Sequence, residues 1–390
     1  MKITEIRTRV VEWRGKTAEL PPHFCTNPMD LLTRSEATMS TFTFHGWLVV
    51  EVFASDGNVG IGNAALAPRV SKQIIDLYLK PVLLGQNPWD VEFLWQHMYR
   101  RTMAFGRKGI GMVAISAVDI AIWDLLGRAA RQPVYRLLGG RTKDRIPVYA
   151  SRLYSVPLDE LAEEAARYRD EGYRAMKLRF GWGPADGAAG MQRNVDLVRT
   201  VRETVGDEID IMADAYMGWN LDYARRMLPL LEPFNLRWLE EPVIPDDIHG
   251  YTELRRVSRI PIAGGEHEFT LHGFRELLEG RAVDYIQFDT NRVGGISQAR
   301  KISALGEAYS VPVIPHAGQM HNYHVVMASL NSPMAEYFPP VEVEVGNELF
   351  WYLCKGEPRA REGFIELDDD RPGLGIEIDE DALREFEVIE

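Results

Sequence analysis

Only two cysteines, Cys25 and Cys354, occur in 390 residues, and they lie far apart. Disulfide frameworks belong mostly to small secreted domains, so both are expected to be reduced thiols. A basic excess is missing too: 44 Lys and Arg stand against 57 Asp and Glu, a formal charge of −13. A net acidic surface repels phosphate backbones, which argues against nucleic acid as the main partner. The N-terminal MKITEIRTRVVEW has no apolar core, so no signal peptide is expected. The most apolar stretch, Ile110 to Trp123, contains Asp119 and reads as too short to cross a bilayer. The chain is therefore expected to be cytoplasmic, with no membrane partner. There is no G-x-G-x-x-G after a strand, no G-x-x-x-x-G-K-[ST] and no G-x-S-x-G. Dinucleotide, P-loop and the commonest serine-hydrolase chemistries lose their signals.

What is there is globular: 46% hydrophobic, 26% charged and 10% aromatic residues. The length suits two or three domains, enough to bury more than one core without staples. ITEIRTRVVEW alternates as a strand, and a loop runs through Pro21, Pro22, Asn27 and Pro28. HGWLVVEVFASDGNVGIGNA then reads as a hairpin turning at Asp56-Gly57. Helical periodicity fills residues 68 to 138. In VAISAVDIAIWDLLGRAA the residues Ile115, Val118, Ala121, Ile122 and Leu125 share one face, with Gly127 as a breaker. This α+β unit ends near Gly140. From Ile146 onward eight strand-like segments alternate with helical or loop segments, from IPVYASR to AEYF. Eight βα units predict a parallel sheet closed into a barrel rather than an open doubly wound sheet.

In such a barrel, polar residues at the C-terminal strand ends line one pocket. Those ends carry Lys177 and Arg179, Asp214, Glu240, Glu266, Asp289, His316 and Glu336, spaced by 35, 26, 26, 23, 27 and 20 residues from Arg179 onward. Each step fits one βα unit. Three carboxylates brought together repel one another unless one is protonated or a hard divalent cation such as Mg²⁺ sits among them. Asp289 and His316 could pair as carboxylate and imidazole, the first fixing the tautomer of the second. Lys177 and Arg179 alternate onto one face and need anions there. Spacing alone does not choose Glu240 over Glu241, or Glu266 over Glu268.

VDIAIWDLLGRAARQPVYRLLGG, MKLRFGWGPADG, MADAYM, WLEEP, GGEHEFTLHGFRELLE, YIQFDTNRVGGISQA, VPVIPHAGQMHNYH and PGLGIEID together resemble the enolase superfamily, mandelate racemase subgroup. Within it they are most similar to the rhamnonate-like acid-sugar dehydratases. The resemblance covers nearly the whole chain. It implies an enolase-type modified (β/α) barrel of seven to eight units, residues 141–340. Residues 1–140 would be an α+β capping domain that chooses the substrate, and residues 341–390 would return to that cap. It implies Asp214, Glu240 and Glu266 as Mg²⁺ ligands, His316 as acid/base with Asp289 as its partner, and Glu336 as a contact to the substrate carboxylate. His23, in the loop of residues 15–35, is the candidate specificity residue. Relatives are commonly dimers or octamers, so a homo-oligomer is expected.

Two departures bear on the reaction. Racemases of the subgroup carry K-x-K on the second strand, and here the motif is Lys177-Leu178-Arg179. Arginine stays protonated and is a poor proton acceptor. Racemisation needs a base on each face, whereas a dehydration can run on His316 alone. Many relatives also have Asn two residues after the first ligand, where this chain has Tyr216. The expected reaction is dehydration of an aldonate such as L-rhamnonate or L-lyxonate to a 2-keto-3-deoxy acid, through an ene-diolate that Mg²⁺ stabilises. The alternative is a racemase or epimerase of an α-hydroxy acid using Lys177 and His316.

Overall fold

In the computed structural model, residues 1–31, 44–340 and 342–388 are described. Residues 32–35 of the loop expected to choose the substrate lie outside them. Strands β1 (Ile3–Glu12), β2 (Gly46–Ala54) and β3 (Val59–Ala64) form an antiparallel meander in the order β1-β2-β3. The expected turn is there, with Gly57 at φ 88° and its N–H bonded to Ala54 O. Helices α1 (Pro68–Ile74), α2 (Val91–Thr102) and α3 (Ile110–Ala130) follow.

Helix α3 lies against β3 so closely that a Cβ on Gly60 or Gly62 would stand 2.0 Å from Ala121 O or Ala117 O. All of its residues from Gly111 to Gly127 are buried, not one face of them. The meander covers one side and barrel helix α9 (Gly295–Ala308) another. The helix has 21 residues, so by length and composition it could cross a membrane, contrary to the shorter stretch read from the sequence. However, 94% of its most apolar window is buried inside the protein, as in a core helix. Gly127 does not end it; the helix runs on to Ala130 and stops at Arg131, φ 52°. Gly127 serves a close approach instead, since a Cβ there would meet Gly373 Cα at 2.6 Å.

Strands β4 (Ile146–Ser151), β5 (Ala175–Arg179), β6 (Asp210–Asp214), β7 (Trp238–Glu240), β8 (Ile262–Gly264) and β9 (Tyr285–Ile286) pair in parallel in that order, and β10 (Ala335–Tyr337) pairs with β4. Helices α4 (Leu158–Asp170), α5 (Gly187–Val205), α6 (Leu221–Leu231), α7 (Ile248–Val257), α8 (Thr270–Glu279), α9 and α10 (Met320–Ala328) fill the connections. This is the enolase-type barrel. The segment VPVIPHA, expected as the seventh of eight strands, joins β9 only through the bridges Ile286–Val313 and Asp289–His316. Pro312 and Pro315 cannot donate to a ladder, so the pairing stays broken. After the barrel, β11 (Cys354–Lys355) pairs with β13 (Glu377–Ile378), and β12 (Phe364–Ile365) adds antiparallel to β4. Helix α11 (Glu380–Phe386) then packs on β1, where Val388 N–H bonds Val10 O.

Candidate active site

Alternation along β5 sends Met176 and Leu178 outward to the helices and turns Lys177 and Arg179 into the barrel. The parallel register then sets Arg179 beside Asp214, and Asp214 beside Glu240. Three consecutive strands therefore end in one charged layer. Lys177, with no exposed surface, bonds Glu240 Oε1 and lies 3.1 Å from Glu336 Oε1 and 3.5 Å from Asp214 Oδ2. Burial pushes the ammonium down, but Glu240, Glu336 and Asp214 outweigh it and hold its pKa well above the usual lysine value. Arg179 stacks 4.9 Å from the centroid of Tyr154, donates to Ser151 Oγ at 3.3 Å and stands 3.9 Å from Asp214.

Glu240 Oε2 accepts from Trp238 Nε1 at 2.9 Å and Gln287 Nε2 at 2.8 Å. Its pKa is pushed up to about 7 by burial, partly offset by Lys177 and reinforced by Asp214, Glu336 and Glu266. Asp214 Oδ1 accepts the Tyr216 N–H at 2.8 Å. His316 Nδ1 meets Asp289 Oδ2 at 2.9 Å, while its Nε2 lies 3.5 Å from Glu266 Oε1. Burial lowers the His316 pKa, but Glu266, Glu336 and the Asp289 bond together lift it to about 9. Glu336 accepts the Ala317 N–H at 2.8 Å through Oε2 and faces the Lys177 ammonium across 3.1 Å through Oε1.

Six buried carboxylates (Asp214, Glu240, Glu241, Glu266, Asp289, Glu336) thus face three buried fixed cations (Lys177, Arg179, Arg292). That surplus of negative charge and oxygen donors fits a hard divalent ion. Among the described residues, Glu241, Glu266 and His267 also place donor atoms within 4.8 Å of one another. That trio is the poorer fit to Mg²⁺. It includes a nitrogen, Glu241 Oε2 is already paired with His267 Nδ1 at 2.7 Å, and Arg292 stands 3.2 Å from His267 Nε2. Asp214 and Glu240 end β6 and β7, Glu266 lies two residues past the end of β8, and all three offer oxygens only.

The structure thus brings Lys177, Arg179, Asp214, Glu240, Glu266, Asp289, His316 and Glu336 together. His23 does not join them. At φ 62° it stacks on Trp182, centroids 5.8 Å apart, at the rim. The residue two further on, Cys25, is buried and feels the charges of Arg179 and Asp214, with burial driving its thiol far up in pKa. Sequence reasoning also passed over Arg292, whose only signal was its place three residues after Asp289. Which cap residues reach the site also went unread: Trp47 and Leu66 share a cavity with Asn291, Arg292, His316 and Asn347. A larger cleft of about 580 Å³ beside Trp89, Phe93 and Trp123 has no histidine or cysteine in its lining.

Residues 160–382 match the enolase C-terminal domain-like family, and residues 26–139 match the mandelate racemase / muconate lactonizing enzyme N-terminal domain. An L-rhamnonate dehydratase of Saccharopolyspora erythraea is 37% identical over 391 residues, covering 97% of each chain. The crystal structure of the Gibberella zeae rhamnonate dehydratase complexed with Mg superposes with a TM-score of 0.87 at 30% identity, over 99% of this chain and 96% of that one. A Streptomyces coelicolor racemase with bound magnesium gives 0.84 at 30% identity, over 99% and 100%. By strand-end chemistry, fold and both matched domains, the chain belongs to the mandelate racemase subgroup of the enolase superfamily.

Proposed function

We propose that this protein is a Mg²⁺-dependent acid-sugar dehydratase that converts an aldonate such as L-rhamnonate or L-lyxonate to a 2-keto-3-deoxy acid. The observation that carries the reading is the asymmetry of the site. One face holds an imidazole oriented by a carboxylate, and the other holds Lys177, locked among three carboxylates, beside an arginine. The second-strand position that carries a lysine base in racemases is Arg179 here, and a guanidinium is a poor proton acceptor, which disfavours racemisation. The similarity to rhamnonate dehydratases supports the same reaction class and substrate family.

Asp214, Glu240 and Glu266 would hold Mg²⁺, which supplies a Lewis acid for the substrate carboxylate. Lys177 adds a fixed positive charge on the same side. Asp289 keeps the His316 proton on Nδ1, leaving Nε2 to take the proton from C2. The electron pair of that C–H bond moves into the carboxylate and then expels the 3-hydroxyl. The protonated His316 returns its proton to that leaving group, which departs as water, and the enol so formed tautomerises with a proton placed on C3. His316→Asn should therefore lower turnover by about 10³-fold or more, a loss of the size expected for a general acid–base group. Mg²⁺ binding by calorimetry should persist in that variant. Product is read as a 2-keto-3-deoxy acid across a panel of aldonates and aldarates; full turnover by the variant would refute the assignment.

A further inference from the structure

Arg292 is in neither the expected ligand set nor the dyad, yet it touches both. Its Nε lies 3.1 Å from Asp289 Oδ2, and its Nη1 lies 3.0 Å from Glu266 Oε1 and 3.2 Å from Glu266 O. The same Nη1 stands 3.2 Å from His267 Nε2. The side chain is 9% exposed. One oxygen, Asp289 Oδ2, therefore faces both His316 Nδ1, at 2.9 Å, and the Arg292 guanidinium, 3.1 Å away at Nε. One oxygen of Glu266 lies within reach of both Arg292 and His316 Nε2, at 3.0 and 3.5 Å.

The chain on either side of Arg292 is fixed. Its own N–H bonds Asp289 O at 2.9 Å, and Gly294, two residues on, is clamped by the cap, giving its N–H to Ser116 Oγ and accepting from Trp95 Nε1, both at 2.8 Å. Ser297 is held by both oxygens of Asp119, at 2.6 and 2.9 Å. A planar guanidinium so anchored meets two carboxylates at once from different nitrogens, Nη1 on Glu266 and Nε beside Asp289, which a lysine's single nitrogen cannot do.

Resting on the reading of His316 as the acid/base group, we propose that Arg292 is a positioning residue for it. It holds Asp289 toward His316 Nδ1 and shares Glu266 Oε1 with the Nε2 that must reach substrate. Without it, Asp289 keeps Oδ1 on the Asn291 N–H at 2.7 Å but loses the charge that fixes Oδ2 toward His316.

The test compares the wild type with Arg292→Met and Arg292→Lys. Turnover, KM and unfolding midpoint are measured, together with nitrogen NMR of histidine-labelled protein, in which the His316 signals are identified by their loss in His316→Asn. In the wild type the Nδ1–H proton should be shifted far downfield by its carboxylate bond, with and without Mg²⁺. Arg292→Met should lose that shift and lower kcat about 100-fold, the loss typical of a misplaced catalytic group, with KM within threefold. Arg292→Lys restores charge but not the second nitrogen and should recover only part of kcat and of the shift. An unchanged downfield signal in Arg292→Met with kcat within threefold of wild type would overturn the proposal. So would an unchanged signal in Arg292→Lys accompanied only by a lower unfolding midpoint. If the wild type dehydrated no acid sugar, the proposed reaction would fall, while the NMR comparison would still decide what Arg292 does.

Discussion

Lys177 shows how a single side chain becomes indispensable through its surroundings. It is fully buried, and three carboxylates depend on its charge. Removing one partner of a buried ionic network leaves the others uncompensated, at a cost of about 3–5 kcal/mol. Lys177→Met should lower the stability of the chelator-treated protein by about that much in urea unfolding, and Mg²⁺ should return part of it by binding only the folded state. Equal losses with and without Mg²⁺ would argue against a cation among these carboxylates. At this scale the sequence was most readable where a residue ends a strand, because the spacing of βα units fixes which positions converge. It did not separate Glu240 from Glu241, since adjacent residues differ only in which face they take, and the family resemblance supplied that choice. Arg292 and His23 sit outside helices and strands, where no periodicity announces the direction of a side chain.

Secondary-structure elements were legible by period and composition, and misread where tertiary contacts overrode them. The length of α3 was underestimated because Gly127 looks like a stop, whereas packing against Gly373 makes glycine necessary inside the helix. The seventh strand dissolved into two bridges because its prolines remove donors, yet those bridges still bring His316 beside Asp289. The C-terminal segment carried no sequence signal for its interior. There Glu357 is half-buried; among the described residues it accepts the Met320 N–H, at 3.3 Å, at the start of α10, and its buried second oxygen has no hydrogen-bond partner. Burial pushes its pKa up to about 8. The sign follows from linkage: between the unfolded value of about 4.5 and 8 the folded state binds more protons, so this group's contribution falls as pH rises. Glu357→Gln removes that ionisation. It should raise stability at pH 8 by at least about 1 kcal/mol and change little at pH 5, as read by unfolding at both values. A destabilisation at pH 8 would mean the charged form has a partner.

At the scale of the whole molecule, cap and barrel make the site jointly. The barrel supplies the charged layer, while Trp47 and Leu66 from the cap close the cavity that holds His316. Residues 343–345 link to both ends of the N-terminal loop, Ala18 N–H bonding Val343 O and Phe44 N–H bonding Val345 O. Fold class was legible because alternating strands and helices in about 190 residues admit few closed arrangements. The lining of the cavity beside His316 was not, because its side chains come from segments far apart in the sequence that meet only after cap and barrel dock. The central claim is that one imidazole both takes the C2 proton and releases the 3-hydroxyl. Proton NMR of L-rhamnonate and L-lyxonate with the Mg²⁺-loaded protein in deuterium oxide tests it directly. The account predicts loss of the C2–H signal in step with formation of a 2-keto-3-deoxy acid carrying one deuterium at C3. Exchange or inversion at C2 with the 3-hydroxyl retained would contradict it and assign the site to an epimerase.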